Sequence, residues 1–285
     1  MRSAPTRVCL VVLLAAVAGG LQSGSAGAAA PTYVAVGDSF TAGPAVLNQQ
    51  LDQLGCFRSD QNYPNLVARA RGRALRDPSC SGAVTSDLTS AQPILGGANP
   101  PQFDALDSSV AVITVQIGGN DIGFTEIVAR CFAILPLGAP CRTTFTAGGS
   151  DELGRRIAAT APKVAAALAE ARRRSPQARV FVLGYPAILP EAGPGCWPWL
   201  PIAPDDVPYL RDTQKALNAM LATQAAAAGA TYVDVYTPSI GHDACQPPGV
   251  RWVEPLIPLS PAAPVHPNAL GMQGMAAAVA GAMAR

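Results

Sequence analysis

Short apolar runs recur along this chain with helix-spaced stretches between them, and that alternation limits the possible folds more than any other feature. The runs are Tyr33–Val36, Val110–Ile117, Val180–Leu183 and Tyr232–Val235, with a weaker one around Ala74-Leu75. Their β-branched and aromatic residues read as strands. Between them Leu153, Ile157, Val164 and Leu168 recur at helical spacing, with Pro162 expected to kink or restart that helix. Leu210, Leu217 and Leu221 mark a second helix, and a third is expected from Pro267, a residue suited to a first helical position. Strands and helices alternating in this order predict an α/β fold: a parallel sheet covered by helices on both faces, in three layers. No internal repeat interrupts the pattern.

The first residues do not belong to it. Arg2 and Arg7 precede an apolar stretch from Val8 to Ala18, and Ala26-Gly27-Ala28 has the small residues of a cleavage site. This is the pattern of a secretory signal peptide over residues 1–28. Cleavage after Ala30 would put Pro31 beside the scissile bond, so a cut near Ala28 is favoured. The apolar stretch is shorter than the roughly 20 residues needed to span a bilayer. Cys9 follows Val8, where a lipid-attachment signal needs a small residue, so lipid anchoring is not expected. No later segment has the length and hydropathy of a membrane helix. The Ala/Met/Gly-rich Ala269–Arg285 comes nearest, and a small-residue helix packed on a core explains it better.

Removal of 28 residues leaves 285 − 28 = 257, read here as a single domain over 29–285. The signal takes two arginines and no acid, so the formal charge moves from +1 to about −1. A near-neutral chain lacks the basic face that nucleic-acid binding needs. Six cysteines remain: Cys56, Cys80, Cys131, Cys141, Cys196 and Cys245. An even number behind an export signal implies disulfides, although several connectivities are open. Pairing of sequence neighbours gives Cys56–Cys80, Cys131–Cys141 and Cys196–Cys245, the middle pair closing a tight loop. Zinc is the competing reading, but there is no Cys-x-x-Cys spacing and both histidines sit outside ligand clusters.

Two connections are long. Residues 186–208 hold several prolines with Trp197, Trp199 and Cys196, and form either a packed surface loop or a substrate wall on which Trp197 and Trp199 line an acyl pocket. The second runs from Cys131 through Cys141 to Ser150.

The chemistry sits in four short blocks. Gly37-Asp38-Ser39 ends the first strand, where open α/β sheets place their ligand sites. Cys80-Ser81-Gly82 lies in a loop, Gly118-Gly119-Asn120-Asp121 follows a central strand, and His266-Pro267-Asn268 is near the C-terminus. A serine needs a base and an oxyanion site to act as a nucleophile. Taken together and in this order, the blocks resemble the GDSL or SGNH hydrolases in their secreted, disulfide-bonded bacterial lipase/esterase form. Gly184-Tyr185-Pro186 and the cysteine pattern look like the same branch.

That resemblance implies a flavodoxin-like SGNH-hydrolase sandwich with Ser39 as nucleophile and His266 as base. It also implies an oxyanion hole made by the backbone amides of Ser39 and Gly82 and the side chain of Asn120. The chemistry of the residues agrees, because an imidazole takes and returns a proton near neutral pH. His242 competes as a base, but lies next to Cys245 and reads as structural. Many members of the family carry an Asp three residues before the histidine, and here that position is Ala263. The lipase branch orients its histidine with a main-chain carbonyl, so a Ser39–His266 dyad held by the Ala263 carbonyl is expected. Asp38 and Asp121 read as organisers of their turns, with Asp243 as a remaining candidate acid.

The α/β-hydrolase Gly-x-Ser-x-Gly, metal-binding HExxH and nucleotide-binding glycine motifs are missing, so no metal or cofactor is expected. The reading is a secreted, monomeric serine esterase/lipase that cleaves small-molecule or lipid esters, with at most transient contact with lipid surfaces. A carbohydrate acetyl esterase of the same fold is the alternative, and a non-catalytic secreted binding protein is a third reading.

Overall fold

The computed structural model describes residues 1, 4, 30–51 and 54–285. The predicted signal peptide and its cleavage site therefore lie almost wholly outside the described residues. All five predicted strand regions form strands: β1 (Thr32–Gly37), β2 (Ala74–Arg76), β5 (Val110–Gln116), β6 (Arg179–Leu183) and β7 (Thr231–Val233). They make one sheet in the order β2-β1-β5-β6-β7, and every pairing in it is parallel. Two further short strands, β3 (Gln92–Ile94) and β4 (Gly97–Asn99), form a separate antiparallel hairpin, and two short helices, α3 (Phe124–Arg130) and α4 (Pro140–Phe145), follow β5.

Side chains alternate across a strand, so each central strand supplies both faces. Val34, Val36, Ile113, Val115 and Val182 face one side, in a core completed by α5 (Glu152–Arg174) and α6 (Val207–Ala227). Tyr33, Ala35, Val112, Phe181 and Leu183 face the other, against α2 (Tyr63–Arg71) and α7 (Ala269–Ala284). Full burial of one such aliphatic side chain contributes about 1.5–3 kcal/mol. This is the expected three-layer α/β/α sandwich. Among the described residues no helix is long and apolar enough to cross a membrane.

One helix expectation is narrowed and another corrected. Pro162 lies inside α5, a single helix of 23 residues, so the helix does not restart there. Proline removes one helical hydrogen bond, but Pro162 and Ala158, whose carbonyl loses its donor, are both exposed, so water replaces the missing partner. The last helix starts at Ala269 and not at Pro267, because Asn268 caps it by accepting from Gly271 N at 3.1 Å. Pro267 is held extended by a bridge to Val253.

The chain runs from β1 outward to β2 and then returns to the far side of β1 as β5. The C-terminal ends of β1 and β5 therefore flank a topological switch point, the crevice where such sheets bind ligands. Gly37-Asp38-Ser39 and Gly118-Gly119-Asn120-Asp121 leave the sheet at those two ends.

Candidate active site

The turn after β1 is built around a position that only glycine fits. A Cβ on Gly37 would lie 2.2 Å from Thr41 Oγ1 and 2.6 Å from the Gln116 carbonyl oxygen. The Gln102 side chain clamps the same residue, accepting from Gly37 N at 2.8 Å and donating to Gly37 O at 3.0 Å. Asp38 caps the short helix α1 (Ser39–Ala42) by accepting from Phe40 N at 3.0 Å, and Ser39 is the first residue of that helix.

His266 reaches Ser39 from the opposite end of the chain, with Nε2 2.8 Å from Ser39 Oγ. A two-stranded contact holds it there: Glu254 N donates to His266 O at 3.0 Å, and Asn268 N to Trp252 O at 2.8 Å. The imidazole packs beside the Phe40 ring at 5.1 Å and edge-on to Phe124 at 5.8 Å.

The carbonyl that orients His266 belongs to Pro264, not to Ala263. His266 Nδ1 lies 2.7 Å from Pro264 O, whereas Ala263 O accepts from the His266 backbone N at 3.2 Å. The reason is the turn. Pro264 takes its second position and Val265 its third with φ 58°, the pattern of a type II turn. The Ala263 carbonyl closes the turn, which leaves the next carbonyl to meet the ring. A carbonyl only accepts, so Nδ1 carries the proton and Nε2 presents its lone pair to Ser39. The half-buried imidazole has its pKa lowered from 6.5 by desolvation, partly opposed by the Pro264 bond.

Among the described residues no carboxylate bonds this ring. Asp243 accepts from Cys245 N at 2.9 Å and Gln246 Nε2 at 3.1 Å. Glu254 is buried and paired with Arg251 at 2.8 Å. His242 stacks on Trp252 with ring centroids 4.9 Å apart, its Nδ1 2.5 Å from Val250 O.

The loop with Gly82 is fastened at both ends. Cys80 N donates to Gly37 O at 3.1 Å, and Asn120 Nδ2 donates to Ala83 O at 2.9 Å. Asp121 adds a second tie, accepting from Thr85 N at 2.9 Å and Thr85 Oγ1 at 2.6 Å. Gly82 itself has φ 81°, in the left-handed region that disfavours a side chain. The Asn120 amide nitrogen carries two hydrogens, so its bond to Ala83 leaves one for a ligand. The backbone N–H groups of Ser39 and Gly82 make no hydrogen bond among the described residues.

Tyr185, which carried no role in the sequence reading, joins the two halves. Its hydroxyl lies 2.5 Å from Asp38 Oδ2 and accepts from Gly119 N at 2.9 Å. Burial raises the Asp38 pKa to about 7, and the bond from Tyr185 opposes that rise. The position of Tyr185 just beyond the end of β6 was a usable signal. Gln102 offered none, since its partner Gly37 is 65 residues away in sequence.

A cavity of about 110 Å³ opens beside Ser39 and Asn120. Phe124, Ile127 and Phe132 form one wall, Leu210 and Leu217 of α6 another, with Leu256 and Val265 near His266. The 186–208 loop supplies Ile188, Leu189, Leu200 and Ile202, so it is a cavity wall. Trp197 and Trp199 are not part of that wall. Trp197 Nε1 instead donates to Ala133 O at 3.0 Å, and Trp199 points to solvent. Disulfides join Cys56 to Cys80, Cys131 to Cys141 and Cys196 to Cys245. The last ties the cavity loop to the segment of Asp243.

Comparison with known proteins finds lipases and esterases. Residues 35–273 match the GDSL-like Lipase/Acylhydrolase family. Lipase 2 of Streptomyces coelicolor is 44% identical over 256 residues, 87% of this chain and 85% of that protein. An esterase of Streptomyces scabiei is 32% identical, over 78% of this chain and 76% of that one. Among solved structures, the extracellular lipase of Streptomyces rimosus superposes with a TM-score of 0.73 at 26% identity, over 89% of this chain and all of that one. The phospholipase A1 of Streptomyces albidoflavus gives 0.72 at 27% identity, over 88% and 98%.

Proposed function

The chain belongs to the GDSL-like lipase/acylhydrolase family and is a carboxylic ester hydrolase, and from that premise we propose that it cleaves lipid-like acyl esters through an acyl-Ser39 intermediate. The observation that carries this reading is the 2.8 Å contact between Ser39 Oγ and His266 Nε2 at the edge of an apolar cavity.

In the proposed reaction His266 Nε2 takes the hydroxyl proton as Ser39 Oγ bonds to the ester carbonyl carbon. The carbonyl oxygen becomes an oxyanion, met by the Ser39 and Gly82 amides and Asn120 Nδ2. Donors already fixed in place are worth more than water, which must reorient; one is worth about 10²–10³ in rate. The tetrahedral species collapses, the C–O bond to the alcohol breaks, and the alkoxide takes the proton from His266. A water then gives its proton to His266 and adds to the acyl-Ser39 carbonyl. Its collapse releases the acid and returns the proton to Ser39. The Pro264 carbonyl keeps the ring in the required tautomer throughout, which is much of the part an Asp plays in a triad.

The cavity favours acyl chains over acetylated sugars. Its polar lining is confined to a few groups such as Ser39, Asn120, Thr213 and Gln214, while a carbohydrate groove needs many more. Three disulfides fit an oxidising compartment. With the leader over residues 1–28 they support secretion of one domain, residues 29–285, acting as a monomer. A panel of esters from acetyl to long acyl chains, with a Ser39→Ala control, tests the reading. Turnover that rises with acyl length supports it; a preference for acetylated sugars replaces it with the carbohydrate esterase.

A further inference from the structure

Three segments that build the cavity wall also place apolar side chains in water. Phe132 lines the cavity, and on the same disulfide-closed loop Ile134 is 80% and Leu137 70% exposed, with Leu135 exposed between them. Leu200 lines it, and the adjacent Trp199 is 63% exposed. Leu256 lines it, and the adjacent Ile257 is 67% exposed, with Leu259 beyond. Each of these residues is close in sequence to one that lines the cavity, unlike the singly scattered apolar residues of an ordinary surface.

The exposure is built in. Ala133 N donates to Pro201 O at 2.7 Å and Trp197 Nε1 to Ala133 O, which fastens the first loop to the second. The Cys131–Cys141 and Cys196–Cys245 bonds close both loops, so neither can fold its apolar residues inward without breaking these ties.

The segments are also free of charge. Residues 131–141, 192–204 and 255–265 contain no Asp, Glu, Lys or Arg, in a chain that is 14% charged. Docking on an anionic membrane relies on Lys and Arg near the surface. No Lys or Arg is found within these segments, and most of the charges that flank them are paired within the chain, Arg130 with Glu126, Glu191 with Lys215 and Glu254 with Arg251. An apolar surface that continues into an apolar cavity beside Ser39 matches a lipid layer better than the apolar centre of a protein partner's interface.

We infer that this rim is a docking surface for a zwitterionic phospholipid layer, which it meets by inserting Ile134, Leu135, Leu137, Trp199, Ile257 and Leu259, so that an acyl chain passes from the lipid directly to the cavity. The inference rests on the lipid-ester reading above. It adds that the enzyme works while seated on the lipid surface, through apolar insertion and without help from anionic headgroups.

The test uses the secreted, disulfide-bonded protein. Binding is measured by flotation with phosphatidylcholine vesicles, with and without phosphatidylglycerol, at low and high salt. Ser39→Ala is present in all samples so that the lipid stays intact. Addition of Ile134→Ser, Leu135→Ser and Leu137→Ser is expected to weaken partition on the order of 100-fold, since interfacial binding scales with buried apolar area. In the active background the same triple variant should keep wild-type turnover of a soluble butyryl ester, because none of the three side chains lines the cavity. That turnover also shows that the variant is folded. Wild-type partition by the triple variant, binding that needs phosphatidylglycerol or is lost at high salt, or a wild type that stays off vesicles and self-associates would each overturn the inference. None of these results touches the lipid-ester reading, which fails only if the active protein does not cleave long-chain esters in solution.

Discussion

Tyr185→Phe isolates the single oxygen that joins the Ser39 turn to the Asn120 loop. The ring stays, with its edge contact to Phe40 at 5.1 Å, so little packing is lost. Two bonds go. Asp38 Oδ2 loses its Tyr185 donor, and Gly119 N loses its acceptor. A hydrogen bond to a charged group contributes about 1.5–3 kcal/mol net, and a buried N–H left unpaired costs about 1–3 kcal/mol. Some relaxation is expected, so the loss of stability should be about 2–4 kcal/mol. For a chain of this size that lowers Tm by roughly 5–15 °C.

The pH dependence adds a second readout. Between the ordinary carboxyl pKa of 3.8 and about 7, folded Asp38 holds a proton that the unfolded chain has released. Stability therefore falls as pH rises across that window, by about 1.4 kcal/mol per unit at most, and is level above it. Tyr185 lowers the Asp38 pKa, so its removal lifts that pKa further and extends the falling limb to higher pH. In catalysis Asn120 is loosened but still present, so kcat should fall about tenfold, less than the 10²–10³ of a deleted donor. Thermal unfolding across pH 5–9 and kinetics on a soluble ester read all three effects. A Tyr185→Phe protein with wild-type Tm, pH profile and kcat would refute the bridge.

The remaining predictions follow from the same contacts. Burial lowers the His266 pKa, so the acid limb of kcat/KM should have its midpoint below pH 6.5; a midpoint clearly above 6.5 contradicts the assignment of that limb to a desolvated His266. Asp243→Asn, checked for folding by circular dichroism, should keep kcat within a few-fold. A loss near the ~10⁴ of a triad Asp would restore an acid to the site. Gly37→Ala should abolish the yield of folded enzyme, because its Cβ meets Thr41 and the Gln116 carbonyl, and normal yield and activity would show that the turn adapts. Replacing Cys196 and Cys245 by Ser should lower stability by about 2–4 kcal/mol and reduce long-chain ester turnover more than acetyl ester turnover, measured on the same preparation.

What the sequence made legible follows from what is local. Strands β1, β5 and β6 could be read because Tyr33–Val36 and its counterparts are buried on both faces and so are largely apolar, whereas the edge strand β2 is mostly exposed and left only the weak Ala74-Leu75 signal. Ser39, Asn120 and His266 stood out because each sits where an element ends. The misreadings concern features set by contacts distant in sequence or by turn geometry. Pro162 left a kink and a restart both open, because helix continuity there depends on solvent access to the Ala158 carbonyl. Ala263 was chosen by its place relative to the family pattern, whereas the left-handed Val265 decides which carbonyl faces the ring. Trp197 and Trp199 are the largest side chains of their loop, yet the tie of Trp197 to Ala133 leaves the wall to smaller neighbours. Gln102 and Tyr185 hold the site together through partners 65 and 147 residues away, which no local pattern records.

The central claim is that Ser39 carries the acyl group, activated by His266. The most direct measurement treats the purified, disulfide-bonded protein with a fluorophosphonate and maps the adduct by peptide mass spectrometry. The account predicts one adduct on Ser39. It also predicts that Ser39→Ala takes no label and loses kcat on the order of 10⁶. Label on a different serine, or a purified Ser39→Ala enzyme that still turns over ester at a substantial rate, would contradict it.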